Sequence, residues 1–131
     1  MKFSAHLQNS PGTHQVTLKV GEKEQTLLIN PRATGGSSVS GGELLFLALA
    51  TCYCNDVYRE AAKWNINVES VEVEVEGDFA AEGQPATNIV YSAKVKADAS
   101  EEQIRELMLH TDTVAEIQNT LRVGTPVKMQ I

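Results

Sequence analysis

An α+β fold is predicted for this chain: antiparallel sheets around one long buried central helix. Three observations predict it. The segment Gly42 to Trp64, GELLFLALATCYCNDVYREAAKW, is rich in Ala and Leu and has no interior Gly or Pro, a helical composition. Val71, Val73 and Val75 alternate with Glu72, Glu74 and Glu76, the period of a half-buried strand. Shorter alternating stretches stand at both ends of the chain. The order is strands, helix, strands, helix, strand, in one domain over residues 1–131.

The elements follow in order. Lys2 to Gln8 is a short strand with Phe3, Ala5 and Leu7 on one side, and Asn9 to Gly12, NSPG, is a turn. Thr13 to Val20 places Val16, Leu18 and Val20 on one face and Gln15, Thr17 and Lys19 on the other. Gly21 to Lys23 turns into a third strand, Glu24 to Asn30, which completes a meander with a wet polar face. Pro31 to Gly42, PRATGGSSVSGG, is a loop with four glycines and three serines. It reads either as a flexible connection or as a loop lining a site, at the start of a helix whose free amides suit an anion. It is not a P-loop, because the Lys-Ser/Thr pair is missing.

In the central helix, Leu44 to Ala50 is apolar without interruption, and Val57, Tyr58, Ala61, Ala62 and Trp64 follow at helical spacing. The first half is therefore expected to be buried nearly all round and the second half on one face. Seven apolar residues are too few to span a membrane, which needs about twenty. After the helix, Ile66 and Val68 have the opposite parity to Val71, so a bulge is expected near Glu69 and Ser70. Asn88 to Ala97 is the partner strand, its lysines set against the three glutamates. Ser100 and Gln103 form a capping box for a helix lined by Ile104, Leu107 and Met108 and ending near His110. A short helical segment, about Asp112 to Gln118, comes next. Leu121, Val123, Val127, Met129 and Ile131 alternate through a final strand, broken at Gly124 to Pro126.

Seventeen acidic and eleven basic residues give a net charge of −6, and the basic residues do not cluster. Neither nucleic acid nor an anionic membrane surface is an expected partner. The two cysteines, Cys52 and Cys54, project about 200° apart on a helix and do not bridge within it. Free thiols and an N-terminus without a signal-peptide core place the protein in the cytoplasm. No metal site is expected from the three histidines and two cysteines, which match no zinc spacing, and no cofactor is expected. His110 at a helix end is favoured by the dipole alone.

Cys52 is the candidate reactive residue. It shares a stripe with Leu45 and Leu49, whereas Cys54 lies on another face. A reactive thiol needs a lowered pKa and access; Arg32 is the first candidate for a basic neighbour and Arg59, about two turns beyond Cys52, the second.

The segment ATGGSSVSGGELLFLALATCY, Ala33 to Tyr53, resembles the OsmC/Ohr family of osmotically inducible and organic hydroperoxide resistance proteins. So do VESVEVEVEGDF, Val68 to Phe79, and HTDTVAEIQNTL, His110 to Leu121. The resemblance implies an intertwined homodimer with sites between subunits. It implies a thiol peroxidase in which Cys52 attacks the hydroperoxide, assisted by Arg32 and Glu43. A second cysteine and an external thiol reductant would complete the family's cycle. This chain departs at two points. The later motif reads His110-Thr111-Asp112-Thr113, with Thr113, Val114 or Ala115 where the second cysteine would stand. Glu43 falls next to the position of the assisting glutamate, which is Gly42. Three functions stay open: a peroxidase acting on organic or hydrogen peroxides with an external thiol, a non-enzymatic protein binding a small apolar or thiol ligand in the dimer crevice, and a structural stress-associated protein.

Overall fold

The computed structural model describes residues 1–131. The chain forms two compact units, Met1–Leu44 and Leu45–Ile131, each described by itself.

In the first unit, β1 (Phe3–Ser10), β2 (Thr13–Val20) and β3 (Lys23–Thr26) form an antiparallel meander in the order β1-β2-β3. Ser10 pairs with Thr13, which leaves Pro11-Gly12 as the loop. Proline presets φ at the first turn position, and Gly12 supplies the positive φ of 83° that the second requires. The third strand is shorter than the sequence predicts. It ends at Thr26, and Leu28 is 92% exposed. The Gly-rich loop is hydrogen-bonded to the first hairpin. Asn9 donates to the Gly36 carbonyl and accepts from the Gly36 N–H, both at 2.9 Å, and Gly12 N–H donates to the Arg32 carbonyl at 2.9 Å. No residue of this unit is buried.

Helix α1 (Gly41–Lys63) starts in the first unit and runs through the second. Ser40 and Glu43 cap it reciprocally. Ser40 N–H donates to Glu43 Oε2 at 2.6 Å, and Glu43 N–H donates to Ser40 Oγ at 3.1 Å. Its buried residues, Leu49, Tyr53, Asp56, Val57, Glu60 and Ala61, recur at helical spacing. The uniformly apolar start is not buried all round, since Leu47 is 59% exposed; one chain supplies no cover for that face. The helix closes on Asn65, whose φ of 56° is left-handed. Asn65 N–H donates to the Ala62 carbonyl and Ile66 N–H to the Ala61 carbonyl, a Schellman arrangement.

β4 (Asn67–Asp78) and β5 (Thr87–Asp98) form an antiparallel hairpin. Its register shifts between Val68 and Ser70, as the change of parity predicts, and again between Glu76 and Asp78. Of the three glutamates, only Glu72 opposes a lysine, Lys94; Glu74 opposes Ser92 and Glu76 opposes Val90. The register, fixed by the inward-facing set, offsets the other two. Gly77 sits in the second shift. A Cβ there would lie 2.9 Å from Phe46 Cζ and 3.1 Å from Ile89 Cγ1, so the absence of a side chain lets α1 approach.

The core of this unit is Tyr53, Val57, Ala61 and Leu107, with Val71, Val73, Tyr91, Ala93 and Val95 packed against it. Tyr53 and Tyr91 meet edge to face at 5.0 Å between centroids. Tyr53 Oη donates to the Met108 carbonyl, and Tyr91 Oη donates to Asp112. The capping box of Ser100 and Gln103 starts α2 (Glu101–Val114) as predicted. The helix runs past His110 and takes in Asp112. Ala115 then breaks it and opens α3 (Glu116–Arg122). There is no final strand. Leu121 lies in the last turn of α3, and Gly124 at φ 65° closes the helix, with Gly124 N–H on the Leu121 carbonyl and Thr125 N–H on the Thr120 carbonyl. Alternation of Leu121 and Val123 imitated a strand where the chain makes a helix and its cap. No helix is long and apolar enough to cross a membrane.

Candidate functional site

The polar centre of the second unit lies where α1 meets the start of α3. Gln118, which is buried, joins the two helices by donating to the Leu49 carbonyl at 3.0 Å. One turn further along α1, the half-buried Cys52 Sγ accepts from Ile117 N–H at 3.5 Å. Its own proton has two acceptors, Asp56 Oδ2 and Glu116 Oε1, each at 3.6 Å. Asp56 is four residues beyond Cys52, one turn up the same face. Glu116 is the first residue of α3, where a carboxylate is favoured by the helix dipole.

Arg59 lies across both carboxyls. Its Nη1 is 3.1 Å from Asp56 Oδ1 and 2.8 Å from Glu116 Oε2, and its Nε is 2.8 Å from Glu60 Oε2. Glu60, 3% exposed, also receives Lys63 at 2.9 Å and His110 Nε2 at 2.8 Å. Trp64 covers the His110 ring at 5.0 Å between centroids.

These contacts set the ionisation. Burial pushes the Cys52 thiol up, the Ile117 N–H works against this, and the charges of Asp56 and Glu116 add to the rise. Burial, with hydrogen bonding to Glu116 and its charge, pushes Asp56 up to about 6, against the pull of Arg59. Glu116 accepts the bond from Asp56 and is held at about 2 by that bond and by Arg59. Glu60 is held at about 2 by its bonds from Arg59, Lys63 and His110. Near neutral pH the cluster therefore keeps its proton on the Cys52 thiol, and Asp56 is the carboxyl nearer to accepting it.

The ligand atoms of Cys52, Asp56 and Glu116 lie within 4.8 Å of one another. The Arg59 guanidinium already neutralises the two carboxyls, and a metal ion would have to displace it.

Of the residues singled out from sequence, Cys52 and Arg59 belong to this cluster. Arg32 and Glu43 belong to the first unit. The Glu43 carboxylate is engaged with Ser40 and held below its ordinary value by the Ser40 N–H and hydroxyl, with a further contribution from the Arg32 charge. Thr113 Oγ1 donates to the His110 carbonyl at 2.6 Å. The residues against Cys52 are Glu116 and Ile117, and the whole stretch from His110 to Arg122 has no thiol. Sequence reading missed Asp56 and Glu116. The i+4 spacing from Cys52 was a signal for Asp56; nothing local pointed to Glu116.

The family model described as OsmC-like protein matches residues 34–130. No curated protein sequence matches. Among solved structures, an OsmC-like protein from Mycoplasma pneumoniae is 18% identical with a TM-score of 0.65, over 93% of this chain and 88% of that one. An OsmC-like protein of unknown function from Vibrio cholerae is 15% identical with a TM-score of 0.64, over 92% of this chain and 93% of that one. The organic hydroperoxide resistance protein OhrB of Bacillus subtilis is 16% identical with a TM-score of 0.53, over 92% of this chain and 90% of that one. At these identities the likeness carries the fold.

Proposed function

The chain belongs to the OsmC-like protein family, and we propose that it acts as a one-cysteine thiol peroxidase that reduces organic or hydrogen peroxides with an external thiol. The observation that carries the proposal is the placement of Cys52. Its sulfur receives the Ile117 N–H at 3.5 Å and has carboxyl acceptors for its proton at 3.6 Å. An anion forming on sulfur meets a donor, and the proton it loses has somewhere to go. OhrB of B. subtilis, which shares the fold, is described as an organic hydroperoxide resistance protein.

The thiolate attacks the terminal peroxide oxygen, the O–O bond breaks, and sulfur becomes a sulfenic acid while an alcohol leaves. With no thiol between His110 and Arg122, the sulfenic acid is taken by an external thiol. Water leaves, a mixed disulfide forms, and a second thiol, or the other sulfur of a dithiol, releases Cys52. Arg32 and Glu43 keep the assisting roles that the resemblance implies; Arg32→Ala and Glu43→Gln test them, each expected to slow oxidation of Cys52.

The second reading is a non-enzymatic protein that binds a small apolar or thiol ligand. The raised pKa of Cys52 favours it, because a protonated thiol is a weak nucleophile. Turnover separates the two. Steady peroxide consumption supplied with a dithiol, abolished in Cys52→Ser, supports the enzyme. Consumption no faster than with the dithiol alone supports the binding protein.

A homodimer is part of the proposal. Its support is the apolar surface with no partner in one chain: Phe3 at 71% exposure, Leu47 at 59%, and Val127 and Met129 at 97% and 88%. Sedimentation near twice 14.2 kDa is expected, and a folded monomer at micromolar concentration would contradict it. A cytoplasmic location, supported by two free thiols, completes the proposal.

A further inference from the structure

We propose that Asp56 is the acid that protonates the departing oxygen when Cys52 attacks a peroxide, with ionised Glu116 beside it. The inference rests on the peroxidase reading and assigns a role that Cys52 cannot fill. A thiolate supplies the electron pair, but the alkoxide released from the O–O bond is a strong base, and its departure is eased by a proton delivered in the same step.

The geometry supplies one. Asp56 is 5% exposed, and its Oδ2 is 3.6 Å from the attacking sulfur. Glu116 Oε1 is also 3.6 Å from that sulfur, and Arg59 Nη1 bridges the two carboxylates. In the resting state the one proton sits on sulfur and the carboxyls are ionised. Passing it to Asp56 creates thiolate and acid together, with no change in the charge of the cluster. The sulfur then takes the terminal oxygen with its hydrogen, the O–O pair leaves on the substrate oxygen, and Asp56 protonates that oxygen. Cys52 thiol and hydroperoxide become Cys52 sulfenic acid and alcohol. Sulfur loses two electrons, the peroxide bond gains them, and both carboxyls end ionised as they began.

The charged groups facing Asp56 fit this cycle. On α1 they are Cys52 and Arg59, and on α3 Glu116. Arg59 keeps Glu116 ionised, so the proton that leaves sulfur goes to Asp56, whose pKa of about 6 suits an acid working near neutrality. Glu60 holds Arg59 from the other side and is itself bound by Lys63 and His110. Asp56 is thus distinct from the assisting residues on the first unit.

The test compares two reactions of the same sulfur. Alkylation by iodoacetamide needs only the thiolate; oxidation by cumene hydroperoxide needs the thiolate and the acid. Asp56→Asn removes a negative charge beside sulfur, so alkylation should stay equal or quicken, while oxidation should slow tenfold or more. Asp56→Glu should recover part of that loss. In the unaltered protein the ratio of oxidation to alkylation should fall as pH rises from 5 to 8, whereas for a free small thiol it should stay level. Equal factors for both reactions in Asp56→Asn, or a level ratio in the unaltered protein, would overturn the role of Asp56 and leave the peroxidase reading intact. Oxidation that is no faster than for a free thiol, or that persists in Cys52→Ser, would overturn that reading and this inference with it.

Discussion

Arg59 on α1 and Glu116 at the start of α3 are bound to each other, Nη1 to Oε2 at 2.8 Å, across a separation of 57 residues in the chain. The same guanidinium holds Asp56 and Glu60. One partly exposed cation therefore sets the charge around Cys52.

Arg59→Ala should leave two uncompensated carboxyls beside the sulfur. Like charges disfavour the thiolate, so the Cys52 pKa, already raised, should rise further. Iodoacetamide labelling at pH 7 should slow several-fold, and the midpoint of its pH profile should move to higher pH. An unchanged midpoint would show that Arg59 does not act on the sulfur. Arg59→Lys should restore part of the rate, because it restores the charge without the fork.

Stability should respond to acid in two opposing ways. The Asp56 pKa is raised in the fold from 3.8 to about 6, so the folded state binds a proton that the unfolded chain releases. Stability from this group is complete below 3.8 and is lost as pH rises through about 6. The Glu60 and Glu116 pKa values are depressed from 4.5 to about 2. Their contributions are complete above 4.5 and are lost as pH falls toward 2. Thermal unfolding of Asp56→Asn should therefore lack the gain that the unaltered protein shows between pH 7 and 4.5, yet both should lose stability below that. Parallel Tm curves from pH 7 to 4.5 would show that Asp56 titrates normally.

Gly77→Ala should destabilise the second unit by about 1–3 kcal/mol through overpacking, because the new methyl would stand 2.9 Å from Phe46 Cζ. Phe46 is stacked on Phe79 at 5.9 Å between centroids, so it has little room to yield. Phe46→Leu should relieve part of the cost, giving a double mutant less destabilised than the sum of the singles. Denaturant titration of the four proteins checks this; strict additivity would mean that the clash lies elsewhere.

What was legible in the sequence followed from local repetition. Val57 and Ala61 at helical spacing, Val71 to Val75 at strand spacing and Ser100 with Gln103 each declare their element within a few residues, and each is found in place. The Ser40–Glu43 cap carries the same signature, a serine followed three residues later by a glutamate. The expected final strand, Leu121 to Ile131, is absent: Leu121 lies in α3, Gly124 closes that helix with its positive φ, and Val127, Met129 and Ile131 pair with no strand of this chain. Helix α2 runs through to Val114 because no residue before Ala115 interrupts it. The cluster at Cys52 was not legible because its charge depends on Glu116, 64 residues away. Sequence spacing named the sulfur and one arginine and placed Asp56 one turn away; only the packing of α3 on α1 brings Glu116 to the same atom.

Stoichiometric oxidation, read by intact mass, shows whether Cys52 is the sulfur that a hydroperoxide oxidises. One equivalent of cumene hydroperoxide is added to the reduced protein and to Cys52→Ser and Cys54→Ser, and a sulfenic-acid trap is added at intervals. One added oxygen, or one trap adduct, is expected on the unaltered protein and on Cys54→Ser, formed faster than on a free small thiol. None is expected on Cys52→Ser, and no intrachain disulfide in any sample. Adduct on Cys52→Ser at the unaltered rate, or a rate on the unaltered protein that matches the free thiol, would contradict the peroxidase reading.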